Sequence, residues 1–185
     1  MGADTEHSDG ASNAAAARLF VALWPDLALR HALHAWCRAA LPTARAGVVA
    51  PQRLHLTLHF LGAVPRVQVA KLEEVLQVGI VPFELEFSRC EHWPHGLLVA
   101  LPDAVPSPLL ELHAALGRAL QTIGMRPEER AYRPHVTLAR RWSGKLAQNS
   151  PPPIRTVRWA VSSYALVESC STRGTSRYQM LRRYP

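Results

Sequence analysis

Two short segments of the chain carry the same pattern of side chains that can transfer protons. His55-Leu56-Thr57-Leu58 is repeated 80 residues later as His135-Val136-Thr137-Leu138. An arginine lies two residues before each histidine, at Arg53 and Arg133. Alternate residues of a β-strand project from the same face, so each histidine would point the same way as its threonine. Two such strands across a groove would present two imidazoles and two hydroxyls to one small volume.

Such a group of side chains suits displacement at the phosphorus of a phosphodiester. The reaction needs a base on the attacking oxygen and an acid on the departing one, and imidazole, with a pKa near ~6.5, serves as either. Threonine hydroxyls can donate hydrogen bonds to the non-bridging phosphate oxygens. A single His-x-Thr on a strand is usually structural, but two copies in similar contexts favour catalysis. The candidate catalytic residues are therefore His55, Thr57, His135 and Thr137.

The elements around the repeat alternate irregularly between strand and helix. Hydrophobic periodicity predicts helices over residues 27–40, 66–78 and 107–123. It predicts strands over residues 18–25, 54–62, 83–91, 97–101, 135–140, 157–168 and 176–184. Several neighbouring strands lack room for a crossover helix, which favours an α+β fold with antiparallel pairing. The last two strands are expected to form a hairpin, and residues 142–153 an exposed loop.

Charge and composition limit the class of protein. The chain has a globular composition with 48% hydrophobic residues, and its net charge of +7 is concentrated in residues 126–185. That basic excess suggests an anionic partner, nucleic acid first. Nineteen of the 21 basic residues are arginine, so a GC-rich genome is the competing explanation. Residues 1–17 are small, polar and acidic, which predicts a disordered tail.

Several other classes of protein are disfavoured by missing signals. No apolar run is long enough to cross a membrane, and the acidic N-terminus is unlike a secretory signal. The widely spaced Cys37, Cys90 and Cys170 form neither a disulfide framework nor a zinc ribbon, which is typical of reduced thiols in a cytoplasmic protein. We find no phosphate-binding P-loop and no histidine spacing typical of a metal site, so no cofactor or metal is expected. No helix shows a spare apolar stripe, which favours a monomer.

Four segments resemble one family, in its order along the chain. They are RLFVALWP, LHLTLHFLG, RPHVTLAR and RGTSRYQMLRRYP. The sequence resembles the two-histidine (2H) phosphoesterases, and within them the RNA 2′,3′-cyclic phosphodiesterases named 2′-5′ RNA ligases. The resemblance spans roughly residues 18–184. It implies a single domain over residues 18–185, with two pseudo-symmetric lobes whose antiparallel sheets flank a central cleft.

The resemblance also implies a reaction and a role for each motif residue. A terminal RNA 2′,3′-cyclic phosphate would be opened to a 2′-phosphomonoester, and the reverse reaction would form a 2′-5′ linkage. His55 resembles the acid that protonates the leaving oxygen, and His135 resembles the base that activates water. Thr57 and Thr137 would hold the phosphate.

Further residues are candidates for substrate binding. Arginines near the motifs could contact phosphate, and aromatic rings could stack on bases. They are Arg53, Arg133, Arg140, Phe20, Tyr132 and Tyr178. Strand parity places Arg140 on the face opposite His135, so it reaches the site only if the strand ends or bulges there. His59 falls on the face of His55 by the same parity, but outside the repeat, and is interpreted as structural.

Two other functions remain open from the residues alone. One is an RNA-binding module without catalysis, and the other is a relative acting on a small cyclic phosphate or on 2′-5′ oligoadenylate. The expected partner is RNA with a 2′,3′-cyclic phosphate end, tRNA fragments among the candidates.

Overall fold

The computed structural model describes residues 15–40, 47–126, 128, 130–141, 156–172 and 175–185. Within those ranges the helices are α1 (Leu27–Ala40), α2 (Arg66–Val75) and α3 (Ser107–Gln121), and short 3₁₀ turns cover Pro51–Arg53 and Pro94–Gly96. The strands are β1 (Ala16–Leu23), β2 (Leu56–Pro65), β3 (Phe83–Trp93), β4 (Leu97–Pro102), β5 (Val136–Ala139), β6 (Val157–Val161), β7 (Tyr164–Thr172) and β8 (Thr175–Tyr184).

The strands form two halves that meet at a narrow seam. They make one sheet in the order β6-β3-β4-β5-β2-β1-β7-β8, and each pairing is antiparallel. The seam lies between β5 and β2, where Leu56 pairs with Val136. The predicted α+β fold with two lobes of antiparallel strands is therefore confirmed.

Helices cross the seam and hold the two halves together. α1 follows β1 in sequence but packs on β5 and β6 of the other half. α3 follows β4 but packs on β2. The buried stripe Leu29, Leu33 and Trp36 anchors α1, and the Asp26 carboxylate caps it by accepting a hydrogen bond from the Leu29 N–H at 2.7 Å. Because α1 and α3 are exchanged in this way, one hydrophobic core runs beneath both motif strands.

The strand predicted over residues 157–168 is two strands, which is a correction. Ser162 and Ser163 interrupt it, β6 pairs with β3 at one edge of the sheet, and β7 pairs with β1 and β8 in the other half. The predicted hairpin is therefore β7 with β8. β7 is buried on both faces, with Leu166 in the main core and Val167 in a second cluster. That burial produces a continuous apolar run, which in the sequence is indistinguishable from an extension of β6.

The first strand begins at Ala16, two residues before the predicted strand start at Arg18 and so within the predicted tail. Ala16 pairs with Pro65, and Ala17 is buried against the core. Residues 1–14 and the loop predicted over residues 142–153 lie outside the described residues. Among the helices that are described, none has the length and hydropathy needed to span a bilayer.

Candidate active site

The pairing at the seam brings the two motifs together on one face of the sheet. Leu56 and Val136 pair directly, and both side chains are fully buried in the core. Their neighbours must therefore project from the opposite face. Continuing the antiparallel register by one residue sets His55 across from Thr137 and Thr57 across from His135. Directly opposite residues have Cβ atoms about 4.5–5.5 Å apart, so this register predicts that each histidine lies beside the threonine of the other motif.

A β-bulge follows each threonine at the same motif position. In β2, Thr57 and His59 pair with adjacent residues of β1, so Leu58 is the extra residue. In β5, Thr137 and Ala139 pair with adjacent residues of β4, so Leu138 is the extra residue. The repeat seen in the sequence therefore extends to backbone geometry.

The first bulge corrects the expected position of His59. One extra residue changes which face the following side chain occupies. His59 is buried, 5% exposed, and its Nε2 lies 2.8 Å from the carbonyl oxygen of His113. Its ring stacks on the His113 ring at 4.1 Å. It is structural, as expected, but it does not share the face of His55.

Arg140 follows the second bulge, immediately after the end of β5. β5 ends at Ala139, and Arg140 is exposed, whereas both Leu138 and Ala139 are buried. The positive charge of Arg140 acts on both His55 and His135. β5 therefore ends just before Arg140, and strand parity no longer holds this side chain on the face opposite His135.

Both imidazoles are oriented by the same local hydrogen bond. Nδ1 of His55 lies 2.7 Å from the Arg53 carbonyl oxygen, and Nδ1 of His135 lies 2.8 Å from that of Arg133. Because a carbonyl only accepts, Nδ1 carries the hydrogen in each ring. Nε2 is therefore the nitrogen left for a reactant in both histidines.

Burial and nearby positive charge disfavour protonation of either ring. Burial lowers the pKa of His55 to about 4, against the Arg53 hydrogen bond that raises it, and the charge of Arg140 lowers it further. Burial also lowers the pKa of His135, with Arg130, Arg140 and Arg133 acting in the same direction. A bound phosphate anion would oppose these effects, since a nearby negative charge favours imidazolium.

Aromatic rings enclose His55. Trp24 stacks on it with ring centroids 5.5 Å apart and planes 14° apart, and Phe20 and Tyr178 approach to 4.9 and 5.3 Å. The Arg53 guanidinium lies over Tyr178, 5.2 Å from its centroid, and its Nε is buried without a hydrogen-bond partner.

His135 has a matching aromatic neighbour on the other side of the seam. Trp93 contacts it with ring centroids 4.6 Å apart. Arg133 lies over that indole at 4.4 Å from its centroid. Each motif arginine therefore fixes its histidine through the backbone and stacks on an aromatic ring through its side chain.

One candidate base-stacking residue, Phe20, is interior, which is a correction, and Tyr132 is half-buried with its ring already stacked within the protein. Phe20 is 4% exposed and packs against His55, so it offers no face to a base. Tyr132 stacks on His113 at 3.9 Å and donates a hydrogen bond from its hydroxyl to the Thr57 carbonyl at 3.3 Å. Phe20 therefore packs on the His55 ring, and Tyr132 contacts the backbone of Thr57. Tyr178 remains half-buried beside His55.

The sequence interpretation missed Trp24 and Trp93. Trp24 directly follows β1, and the sequence pattern assigns it only to the strand over residues 18–25. Trp93 is the last residue of β3, and the sequence pattern assigns it only to the turn before the next strand. The available signal is position. Trp24 follows β1, which neighbours the first motif strand, and Trp93 precedes β4, which neighbours the second, so both rings fall near the histidines.

Two lobes that each bring a His-x-Thr strand to a shared seam define a two-histidine phosphoesterase fold. The sequence profile of the 2′-5′ RNA ligase superfamily matches residues 24–169 of this chain. The chain belongs to that superfamily.

Individual relatives agree with this assignment. The RNA 2′,3′-cyclic phosphodiesterase of Escherichia coli (strain K12) is 30% identical over 172 residues, covering 90% of this chain and 95% of that protein. The protein of the same name from Bacillus subtilis (strain 168) is 33% identical over 103 residues, covering 52% and 56%.

Solved structures share the fold over most of their length. E. coli LigT in its apo form matches with a TM-score of 0.81 at 29% identity, covering 92% of this chain and 97% of that one. LigT complexed with 3′-AMP matches with a TM-score of 0.80 at 30% identity, covering 91% and 97%.

Proposed function

We propose that this protein is an RNA 2′,3′-cyclic phosphodiesterase that works by acid–base catalysis between His55 and His135. The observation that carries the proposal is the seam, where the Leu56–Val136 pair sets two His/Thr pairs on one face. The matched Nδ1 hydrogen bonds, which leave both Nε2 atoms for reactants, support it further. The relatives named RNA 2′,3′-cyclic phosphodiesterase support the choice of substrate.

The reaction proceeds as a displacement at phosphorus. Nε2 of His135 accepts a proton from water as the water oxygen forms a bond to phosphorus. The bond from phosphorus to the 3′ oxygen breaks, and protonated His55 donates its Nε2 proton to that oxygen. The product is a 2′-phosphomonoester with a free 3′ hydroxyl, and the two rings return to their starting states by exchanging one proton with solvent.

Other residues of the site stabilise charge and orient the phosphate. Thr57 and Thr137 donate hydrogen bonds to the non-bridging oxygens, and Arg140 contributes positive charge near both rings. Because both histidines have lowered pKa values, the protonated state of His55 forms together with phosphate binding. With a 5′ hydroxyl in place of water, the same displacement would form a 2′-5′ linkage and release the 3′ hydroxyl.

The test is hydrolysis of an RNA oligonucleotide that ends in a 2′,3′-cyclic phosphate, with EDTA present. We expect a 2′-phosphomonoester, identified by phosphorus NMR. RNA that is bound but keeps its cyclic end would overturn the proposal and favour an RNA-binding module. Turnover of a cyclic mononucleotide or of 2′-5′ oligoadenylate without turnover of the RNA end would favour a small-substrate enzyme.

RNA ends are the proposed partners, with tRNA fragments among the candidates. A monomer in the cytoplasm is what the sequence leads us to expect. Size-exclusion chromatography with light scattering tests whether the protein is a monomer.

A further inference from the structure

Trp93, Arg133 and Glu91 form a fixed unit beside His135. The Trp93 indole Nε1–H donates to Glu91 Oε2 at 2.9 Å, and Arg133 Nη2 lies 3.6 Å from that same oxygen. The guanidinium lies over the indole at 4.4 Å from its centroid. Glu91 thereby orients the ring and the cation together. The Arg133 side chain is nevertheless 63% exposed, so the side of the guanidinium turned away from Trp93 meets solvent.

We infer that this Trp93–Arg133 unit is a stacking platform for a second nucleobase, so that the site selects oligonucleotides over mononucleotides. The inference rests on the proposed function and extends it to the substrate's length. Arginine planes and aromatic rings are the usual partners of unpaired RNA bases. A guanidinium already held by an indole and a carboxylate loses little freedom when a base stacks on it.

The two sides of the seam explain why a second base is involved. The His55 side has its own guanidinium on an aromatic ring, Arg53 over Tyr178. The His135 side has Arg133 over Trp93. A terminal nucleoside carries both ester oxygens of its cyclic phosphate but only one base, so it occupies one of these surfaces. The other is left for the adjoining nucleoside, and we assign the Trp93–Arg133 unit to it because Glu91 fixes that unit and its outer side is open.

The experiment compares three substrates that all end in a 2′,3′-cyclic phosphate. They are a mononucleotide, a dinucleotide, and a dinucleotide whose first residue lacks its base. The last two carry the same phosphates, so their difference in kcat/KM isolates the base. Wild type should prefer the full dinucleotide over the abasic one by about ten-fold, the usual scale of one stacked base.

Two variants remove the stacking surface while the catalytic histidines and threonines stay in place. Arg133→Lys keeps the positive charge and the backbone carbonyl that holds His135, but it loses the planar surface. Trp93→Leu removes the ring beneath it. Both should reduce the ten-fold preference to near one. Because Trp93 contacts His135, Trp93→Leu can also lower kcat/KM for every substrate. That general loss will be seen with the mononucleotide, and it cancels in the ratio of kcat/KM for the full and abasic dinucleotides. Arg158→Lys, at the β6 edge, is the matched control and should keep the preference.

Each outcome decides between the alternatives. Equal kcat/KM for the full and abasic dinucleotides in wild type overturns the inference, as does a preference that survives both variants. If no cyclic phosphate is hydrolysed at all, the proposed function fails. The platform is then tested by binding of the two dinucleotides with a 2′-phosphate end, where equal affinity overturns it and a preference lost in both variants supports it.

Discussion

Leu56 and Val136 face each other across the seam, and their pairing determines where all four motif side chains lie. Because both residues are fully buried, the flanking histidines and threonines are forced to the other face of the sheet. The antiparallel register then gives each histidine the threonine of the other motif as its neighbour. The site thus has a local two-fold character, and the two threonines are expected to contribute alike.

Removing either threonine hydroxyl should therefore cost a similar amount. Thr57→Val and Thr137→Val keep the β-branched shape but delete a donor to the non-bridging oxygens. We expect each to lower kcat by about 10²–10³-fold, the cost of one oxyanion donor. Steady-state kinetics on the cyclic RNA end measures this. Thr122→Val, after α3, is the control and should leave kcat unchanged. Loss at only one of the two motif positions would contradict the two-fold description.

The lowered histidine pKa values predict an acidic optimum for kcat/KM. Catalysis needs one imidazole protonated and the other neutral, and in the free enzyme that form is most populated between the two pKa values. Burial brings the pKa of His55 to about 4 and lowers that of His135. The kcat/KM maximum should therefore fall below pH ~6.5, the ordinary histidine value.

The kcat profile should lie at higher pH than the kcat/KM profile. The bound phosphodiester is an anion, and it raises the pKa of both rings in the complex. Measuring both parameters from about pH 4 to 9 checks this. A kcat/KM maximum above neutrality, or coincident profiles, would show that the rings titrate differently from this description.

Arg140 should be detectable through the titration of both histidines. Its charge lowers the pKa of His55 and of His135, so Arg140→Gln should raise both. NMR titration of the imidazole Cε1 protons reports each ring separately. Arg158→Gln, which removes an arginine paired with Glu86 at the sheet edge, should move neither. If Arg140→Gln leaves both titrations in place, Arg140 does not face the seam.

Gly47 is hydrogen-bonded to the Arg140 backbone and should resist substitution. Its carbonyl accepts the Arg140 N–H at 2.8 Å, its φ is +87°, and a Cβ there would overlap the Arg140 carbonyl oxygen. Gly47→Ala should therefore destabilise the fold by about 1–3 kcal/mol and lower kcat by displacing Arg140.

Gly79→Ala is the matched control, because a Cβ at Gly79 meets nothing within 4 Å. It should leave stability unchanged or raise it slightly. Urea unfolding of both variants gives the comparison, and equal stability of the two would show that Arg140 is not held by Gly47.

The local pattern of the sequence was sufficient for the motif strands, the helix α1 with its Asp26 cap, and the apolar side of each strand. These features depend on residues a few positions apart. The family resemblance supplied the two-lobe arrangement. What local patterns lacked was the register: the bulge at Leu58 adds one residue without changing the alternation, so His59 was assigned to the wrong face.

Long-range placement explains the remaining differences. The break at Ser162 separates strands that pair at distant places in the sheet, and nothing in the adjoining residues marks that separation. Trp93 stands beside His135 because β4 pairs with β5, a contact between segments far apart in the chain. Phe20 and Tyr132 are only candidates for base stacking in the sequence, because aromatic type alone does not distinguish a ring that binds substrate from one that supports the site.

The most direct test of the account is the rate of cyclic phosphate hydrolysis by His55→Ala and by His135→Ala under single-turnover conditions with saturating enzyme. His31→Ala, on the exposed side of α1, is the control, and thermal unfolding confirms that each variant is folded. Two imidazoles acting on one phosphorus predict that each motif variant loses about 10²–10⁴-fold in rate, while the control keeps the wild-type rate. A folded variant lacking either His55 or His135 that retains nearly the full rate would contradict the account.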